Sequence, residues 1–498
     1  MYTTLLRPDC FALSARWPVD RWMAHAVLAG GSLLLFSPSA PAQGDGTSNS
    51  RTTAVVAQAA PTPSATRAKP SSAAASAPQR AGAAKVGKNS TGRRSAATTT
   101  AAAPLSAPEG SASMPSGRAN VATISSQLAD LGLALHRSPA LTASFNGNSV
   151  LSPLSVATAM GLVHAGSAGE TRREIGLLLS SANDPDLGMA MQLPALLQGL
   201  SAGGAEVSPL IIANRVWVAS AWQAKVVPAY SQAAKSKFGG DIVGVAFDDP
   251  PAAVKAINSW VSEATKGMIP TLVNESVLQP DTRAVVTNAV YFKSAWARPF
   301  DPALTKQLPF GPAGKTAAMM TDDRSVAAGE FGGTEVYELP FRGDQFALLM
   351  AVPAKDRPLS ALIAGASGLD LATWRAGLTP KRCILQMPRF SVKLPSTSLR
   401  APLQAMGVKT AFSPQADLKP MLGPEAGNVQ LSEVMHAASI IIDEAGGEAS
   451  AATAAIAVAR SAAMPDLCSV DRPFFYVLLH KPTGAPLFIG QVVDPSLP

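Results

Sequence analysis

Histidine, cysteine and a single well-placed arginine are the residues of this chain best suited to chemistry, and most of their spacing argues against catalysis. The five histidines, His25, His136, His164, His436 and His480, are scattered, and none sits in HExxH. A zinc hydrolase uses that spacing because it sets two imidazoles on one helix face. The three cysteines, Cys10, Cys383 and Cys468, form no CxxC, which excludes a zinc ribbon and a thioredoxin-like redox pair. No GxGxxG follows a strand, no GxxxxGK[ST] is present to cradle phosphates, and no GxSxG elbow presents a nucleophile. These absences weigh against a hydrolase or a nucleotide enzyme, and no metal or cofactor is expected.

The arginine is Arg460, within "DEAGGEASAATAAIAVARSAAMPD" at 443–466. It is the one basic side chain between Lys419 and Arg472. The residues before it are small. Taken two by two as a strand, one face carries Val458, Ile456, Ala454, Ala452, Ser450 and Glu448. The other carries Ala459, Ala457, Ala455, Thr453, Ala451, Ala449 and Gly447, with no charge. A register that buries the second face leaves Glu448 in water, avoiding the cost of a lone buried carboxylate. Alanine is also the best helix former. The residues alone therefore leave a helix, a flexible linker and a buried strand all open.

Three regions differ in composition. Residues 1–42 hold Arg16 and Arg21, an apolar run from Ala24 to Phe36, and Ala40-Pro41-Ala42, the order of a secretory signal peptide. The run is short for a membrane span, though an uncleaved anchor is the alternative. Met23 as the true start would discard both arginines. Residues 43–118 are Ala, Ser, Thr, Pro and Gly with almost no large apolar side chain, too few to offset the entropy of ordering, so disorder is expected. Much of the formal net charge of +7 lies here, on Arg51, Arg67, Lys69, Arg80, Lys85, Lys88, Arg93 and Arg94 against Asp45 and Glu109. A solvated spacer is the plainer reading. Weak contact with an anionic envelope or polysaccharide is the sharper one. No aromatic residues interleave these charges, so nucleic acid is not an expected partner.

From 119 to 498 the chain reads as one large α+β domain, expected to be a monomer. "ISSQLADLGLALHR" places Ile124, Leu128, Leu131 and Leu135 at helical spacing, and "LSVATAMGLVHAG" after Pro153 is a mostly buried helix. "KAINSWVSEATKG" is an amphipathic helix ending at Gly267. "LIIANRVWVAS", "RAVVTNAVYFK", "FALLMAVP", "CILQMPRFSV" and "SIIIDEAG" are strands, and "FFYVLLHKPTGAPLFIGQVV" is a hairpin turning at "KPTG".

These blocks together resemble the serpins, a family of serine protease inhibitors. "NSVLSPLSVATAMGLVHAGSAGETRREI" is similar to an early serpin helix region with its Asn-x-x-x-Ser-Pro-x-Ser core. "INSWVSEATKGMIPTLV" with "VVTNAVYFKSAWARPF" resembles the family's central helix and following strand. "SEVMHAASIIIDEAGGEASAAT" resembles the hinge of its reactive loop, and "DRPFFYVLLHKPTGAPLFIGQVVDP" its last strands. The resemblance implies a large central mixed β-sheet, two smaller sheets, about eight to nine helices and an exposed reactive loop. It also implies a secreted or periplasmic suicide substrate. A protease cuts the loop, which enters the sheet as a new strand and carries the acyl-enzyme with it.

Carried over residue by residue, the resemblance makes Glu444, Gly446, Gly447, Glu448 and Ala449 the loop hinge. The scissile bond lies about sixteen residues after Glu444, at Arg460-Ser461. That bond suits a trypsin-like protease, which pairs such a cation with a carboxylate. Cuts after Ala462, Ala463 or Met464 would suit elastase- or chymotrypsin-like enzymes. Inhibitory relatives carry Thr or Ser where this chain has Gly447, a departure expected to slow insertion. Ser152, Ser155, Asn288 and His436 match a polar cluster that governs opening of the sheet, with His436 as a catalytic base the rival reading. Trp296 matches the top of the sheet, or is an ordinary core tryptophan, and Arg389 matches a basic partner of Glu444. Cys383 and Cys468 fall on adjacent strands, as a disulfide or as two buried thiols. Such a bond would pin the strand whose release permits insertion of an uncut loop. A departure from the family pattern is Cys468 itself, at a position usually aliphatic or aromatic. "NDPDLGMAMQLPALLQGL" has no basic stripe, so heparin-like activation there is not expected. A non-inhibitory serpin acting as carrier or chaperone is the alternative function.

Overall fold

The structure, a computed structural model, describes residues 116–145, 147–180, 188–201, 209–311, 315–426, 429–447 and 466–497. The expected signal peptide, nearly all of the basic segment and the loop residues Glu448, Ala449, Arg460 and Ser461 lie outside them.

The first part is rich in helices: α1 (Ser116–His136), α2 (Pro139–Thr142), β1 (Ser149–Leu151), α3 (Pro153–Ala165), α4 (Gly169–Leu178) and α5 (Met189–Ser201). Then come β2 (Leu210–Ala219), α6 (Pro228–Phe238), β3 (Asp241–Val245) and α7 (Pro250–Ala264). Strands dominate next: β4 (Ala284–Phe292), β5 (Ser294–Ala295), β6 (Lys306–Pro309), β7 (Thr316–Phe331), β8 (Thr334–Pro340) and β9 (Phe346–Pro353). After α8 (Leu359–Gly365) and α9 (Gly368–Ala376) follow β10 (Thr379–Pro388), β11 (Phe390–Ser398), α10 (Arg400–Ala405) and α11 (Lys419–Leu422). The chain closes with β12 (Leu431–Ile442), β13 (Gly446–Gly447), β14 (Asp466–Ser469), β15 (Phe474–His480) and β16 (Pro486–Val492). Eight of the eleven α-helices among the described residues reach seven residues or more.

Local chemistry explains the elements that matter below. Helix α3 starts where the Ser152 hydroxyl accepts from the Ser155 N–H at 3.2 Å, with Pro153 in its first turn. Every residue from Pro153 to His164 is buried, so the helix is apolar all round because it runs through the core. Helix α7 begins five residues before the apolar pattern that announced it, because Asp249 caps it and Pro250 fits its first turn. It ends where Gly267, at φ +81°, lets its N–H reach the Ser262 carbonyl at 2.7 Å. Its buried stripe of Ala253, Ile257 and Val261 lies against a sheet.

Three sheets form among the described residues. The largest has nine strands in the order β1-β16-β15-β9-β8-β7-β10-β14, with β6 beside β7. The sixteen-residue β7 is long enough to serve two groups of strands and joins them into one sheet. A mixed sheet of five strands runs β11-β12-β4-β2-β3, and β13 pairs with β5 in a third. The stretch "CILQMPRFSV" is two strands rather than one. The chain changes sheet at Arg389, so β10 lies in the nine-stranded sheet and β11 in the five-stranded one. The polar cluster expected beneath the large sheet belongs to the five-stranded one. There β4 is buried along its whole length. Ala284, Val286, Val290 and Phe292 join the main core, while Val285 and Ala289 face the α7 side. Covered on both faces, β4 reads as a continuous apolar run.

Candidate functional site

At the middle of the five-stranded sheet, β12 and β4 pair in parallel, with His436 opposite Asn288. On the other edge of β4, Asn214 of β2 stands opposite Asn288. Three polar side chains on neighbouring strands thus meet the N-terminus of α3. Asn288 Nδ2 donates to the Ser155 carbonyl at 2.8 Å, to Ser155 Oγ at 2.5 Å and to Asn214 Oδ1 at 2.5 Å. The His436 Nδ1–H donates to Asn288 Oδ1 at 2.5 Å, and its Nε2 faces the Ser152 N–H at 3.4 Å. These contacts select the neutral imidazole with its proton on Nδ1. Burial pushes the His436 imidazole down to about 4, in keeping with that form. His436 is fully buried, and its Nε2 meets a backbone N–H rather than a nucleophile, so the geometry gives it no catalytic base role.

The sequence missed Asn214. Its signal was an amide in the middle of "LIIANRVWV", where an apolar strand must have a partner for it. Nothing in the spacing identified Asn288, 74 residues away, as that partner.

The second part of the site is the turn after β12. Trp296 is buried, stacks on Phe341 with centroids 4.4 Å apart, and donates through Nε1 to the Asp443 carbonyl at 2.8 Å. Its backbone N–H reaches the Ala445 carbonyl at 2.9 Å, and the Phe300 N–H reaches the Glu444 carbonyl at 2.8 Å. The chain is thereby led across the top of the sheet, where Gly446 and Gly447 pair antiparallel with Ala295 and Ser294. Glu444 Oε1 accepts from Thr305 Oγ1 at 2.7 Å, and Arg389 Nη1 stands at 3.9 Å. The expected ionic partner is therefore the more distant one, and its side chain is largely exposed. Such a pair contributes about 0–1 kcal/mol. Thr305 is the nearer anchor, which the sequence did not single out.

The two hinge glycines differ. Gly446 sits at φ +139°, and a Cβ there would lie 2.4 Å from the Ser294 carbonyl oxygen and 2.6 Å from the Trp296 nitrogen. Only glycine fits that close backbone approach. A Cβ at Gly447 would meet the Ile441 carbonyl oxygen and the Phe292 ring at 3.5 Å, ordinary contact distances.

The third part is the far end of the loop. Residue 466 begins β14, a four-residue edge strand that pairs in parallel with β10 alone. The buried side chains of Cys383 and Cys468 form a disulfide between these strands, with Cα atoms 5.8 Å apart. Glu448, Ala449, Arg460 and Ser461 lie between the two ends, outside the described residues. No group of three or more His, Cys, Asp or Glu among the described residues is arranged to hold a metal ion.

Comparison with known proteins puts these features in a family. The chain matches the family model described as Serpin (serine protease inhibitor) over residues 126–495. It is 31% identical to glia-derived nexin of Rattus norvegicus over 360 residues, which are 70% of this chain and 88% of the relative. It is 32% identical to plasminogen activator inhibitor 1 of Neovison vison over 363 residues, 71% of this chain and 88% of the relative. A solved structure of human thyroxine-binding globulin with thyroxine aligns with a TM-score of 0.67 at 26% identity, covering 76% of this chain and 100% of the other.

Two outcomes follow from the site's geometry. The unfolded chain holds its histidines near 6.5, whereas burial keeps His436, His136 and His480 near 4, with Arg137 assisting at His136 and Arg375 at His480. Between those values the unfolded state binds protons that the folded state refuses, so stability is lost as pH falls from 6.5 toward 4. Urea unfolding across that range is expected to show His436→Gln with a slope shallower by about 1.4 kcal/mol per pH unit. An unchanged slope would remove His436 as a contributor. In the hinge, Gly446→Ala is expected to lose about 1–3 kcal/mol of stability, and Gly447→Ala to gain about 0.4–1 kcal/mol by restricting the unfolded chain. Equal effects of the two substitutions in urea titrations would contradict this reading of the turn.

Proposed function

Because the chain belongs to the serpin family of serine protease inhibitors, whose members inhibit proteases rather than act as enzymes, we propose that it is an extracytoplasmic suicide-substrate inhibitor of trypsin-like serine proteases. One observation carries the reading. Gly446 and Gly447 are already docked antiparallel to β5, just beyond the end of β4, beside the parallel pair β4 and β12 at the middle of the sheet. Among the described strands, a chain continuing from Gly447 in the same direction would run antiparallel between them and bond to both.

The Arg460 side chain enters the protease specificity pocket and is held there by a carboxylate. The protease serine attacks the Arg460 carbonyl carbon, the bond to Ser461 breaks, and the Ser461 amine leaves with a proton. The acyl-enzyme now hangs from a free chain end. Residues 448–459 then enter between β4 and β12, with the alanine-rich face beneath the sheet and Glu448 outside. Inward travel drags the protease and distorts its oxyanion hole before water can release the ester. The His436–Asn288 cluster suits this step, because each group it releases can be satisfied again by the new strand's backbone. The disulfide serves the uncut state: by holding β14 on β10, it keeps the far end of the loop from following the hinge into the sheet. Residues 43–118 act as a solvated basic spacer behind a cleaved signal peptide.

A second reading, a small-molecule carrier, is favoured by a cavity of about 480 Å³ between α1, α9 and the face of β8, β9 and β15. Leu349, Leu371, Leu378 and Val477 line it, beside an Arg375–Glu338 pair 3.1 Å apart. The neighbouring thyroxine-binding globulin is a precedent for a ligand in this family.

Incubation with trypsin separates the two readings. An inhibitor gives an SDS-stable complex, mass spectrometry of the released fragment finds Ser461 at its new N-terminus, and Arg460→Ala loses complex formation by at least about 100-fold, as removal of a charged anchor does. Clean cutting with no complex and no rise in melting temperature would overturn inhibition and leave the carrier. The tether has its own test. Cys383→Ser with Cys468→Ser is expected to lose inhibitory activity on storage at 37 °C several-fold faster than the unmodified chain, while the stored protein grows more heat-resistant. Equal half-lives would show that the bond does not guard the uncut loop.

A further inference from the structure

Helix α7 lies over the line along which β4 and β12 would part. Its apolar stripe and the loop after it share a core with Val285 and Ala289 of β4, with Ala213 and Trp217 of β2, and with Met435 and Ala437 of β12. A helix packed on both halves of an opening sheet must leave one of them. The question is which half keeps it.

The two sides hold it unequally. On the β2 side, the Arg215 guanidinium lies 4.4 Å from the Trp260 ring centre of α7 and 5.1 Å from that of Trp217. Trp217 and Trp260 also meet edge to face at 5.7 Å, and Trp217 Nε1 donates to Thr287 Oγ1 of β4 at 2.9 Å. The buried Arg215 Nε has no hydrogen-bond partner; Asp241 is 3.8 Å from Nη2, and Glu263 of α7 adds a second attractive charge to the hold of the two rings. One continuous set of contacts thus links α7 to β2 and β4. On the other side, Asn258 of α7 accepts from the Leu272 and Val273 N–H groups and donates to the Val273 carbonyl, which fixes the following loop to the helix. From that loop, the Leu272 carbonyl accepts from Ser396 Oγ of β11. A neutral hydrogen bond thus ties the loop after α7 to β11, and at the foot of β4 the Arg283 N–H donates to Ser432 Oγ of β12 at 3.2 Å.

We propose that Arg215 is a positioning residue that clamps α7 to the β2–β4 half of the sheet, and that the Ser396–Leu272 hydrogen bond is a latch that must break for the loop to enter. The proposal rests on the insertion reading above. When β4 and β12 separate, α7 travels with β4 while its loop slides off Ser396. Two cation–ring contacts and a ring–ring contact in a half-buried site outweigh one part-buried neutral hydrogen bond, so the latch yields first.

The test uses the uncut full chain and a synthetic peptide of residues 447–459, whose uptake reports opening without a protease. Ser396→Ala is expected to speed uptake about 2- to 10-fold, the factor one lost neutral hydrogen bond gives. Arg215→Met keeps the uptake rate within about twofold, but in the peptide-loaded protein the amides of residues 250–264 exchange with deuterium several-fold faster than in the unmodified chain. Arg215→Lys, which keeps the cation, restores part of that protection, and Trp260→Leu reproduces its loss. Loss of α7 protection on loading of the unmodified chain, or an unchanged uptake rate in Ser396→Ala, overturns the proposal alone. Failure of the unmodified chain to take up the peptide overturns the insertion reading, and this proposal with it.

Discussion

The parallel pairing of β4 with β12 is the contact on which the rest of this structure depends. Both strands are almost wholly buried, so neither can expose its backbone to water without an exchange of partners. A parallel ladder is slightly weaker per residue than an antiparallel one, and a strand slipped between the two would run antiparallel to both. At its centre lie polar groups rather than apolar ones. The His436–Asn288–Ser155 cluster closes the sheet by hydrogen bonds that hold only at the right distances, and another set of donors and acceptors can replace them.

In the proposed mechanism, everything around that pair acts on how and when it parts. Trp296 and the Glu444–Thr305 contact guide the chain after β12 to the correct end of the slot, and Gly446 permits the close approach there. The disulfide fixes the other end of the loop to a different sheet. A segment held at both ends cannot be drawn fully into a slot that admits it from one end, which makes a cut between the anchors the natural trigger. Helix α7 adds a cover whose two attachments differ in kind, cation–ring contacts on one side and a hydrogen bond on the other.

The net charge of the molecule takes little part in this. The excess of basic residues falls mainly in the segment before the folded domain, and most ionic contacts within the domain have an exposed partner, as in Arg173–Glu170 and Arg382–Asp323. The centre of the five-stranded sheet instead holds neutral polar groups in a dry environment, where a misplaced hydrogen bond is costly.

Much was decided locally. The apolar run of β4, the helical spacing in α1 and α3, the Ser-Pro that caps α3 and the small uncharged face of residues 447–459 are legible because strand, helix and cap preferences act over a few neighbouring residues. The family resemblance brought Ser152, Ser155, Asn288 and His436 into one list. It did not bring in Asn214, because a single asparagine in an apolar strand names no partner, nor Thr305, an unremarkable residue until Glu444 reaches it. The division of "CILQMPRFSV" between two sheets, the 5.8 Å approach of Cys383 and Cys468 across 85 residues, and the stacking of Arg215 between rings on β2 and α7 were settled by tertiary structure alone. Each depends on the register of strands far apart in the chain, and register follows from how whole faces pack rather than from any short run of residues.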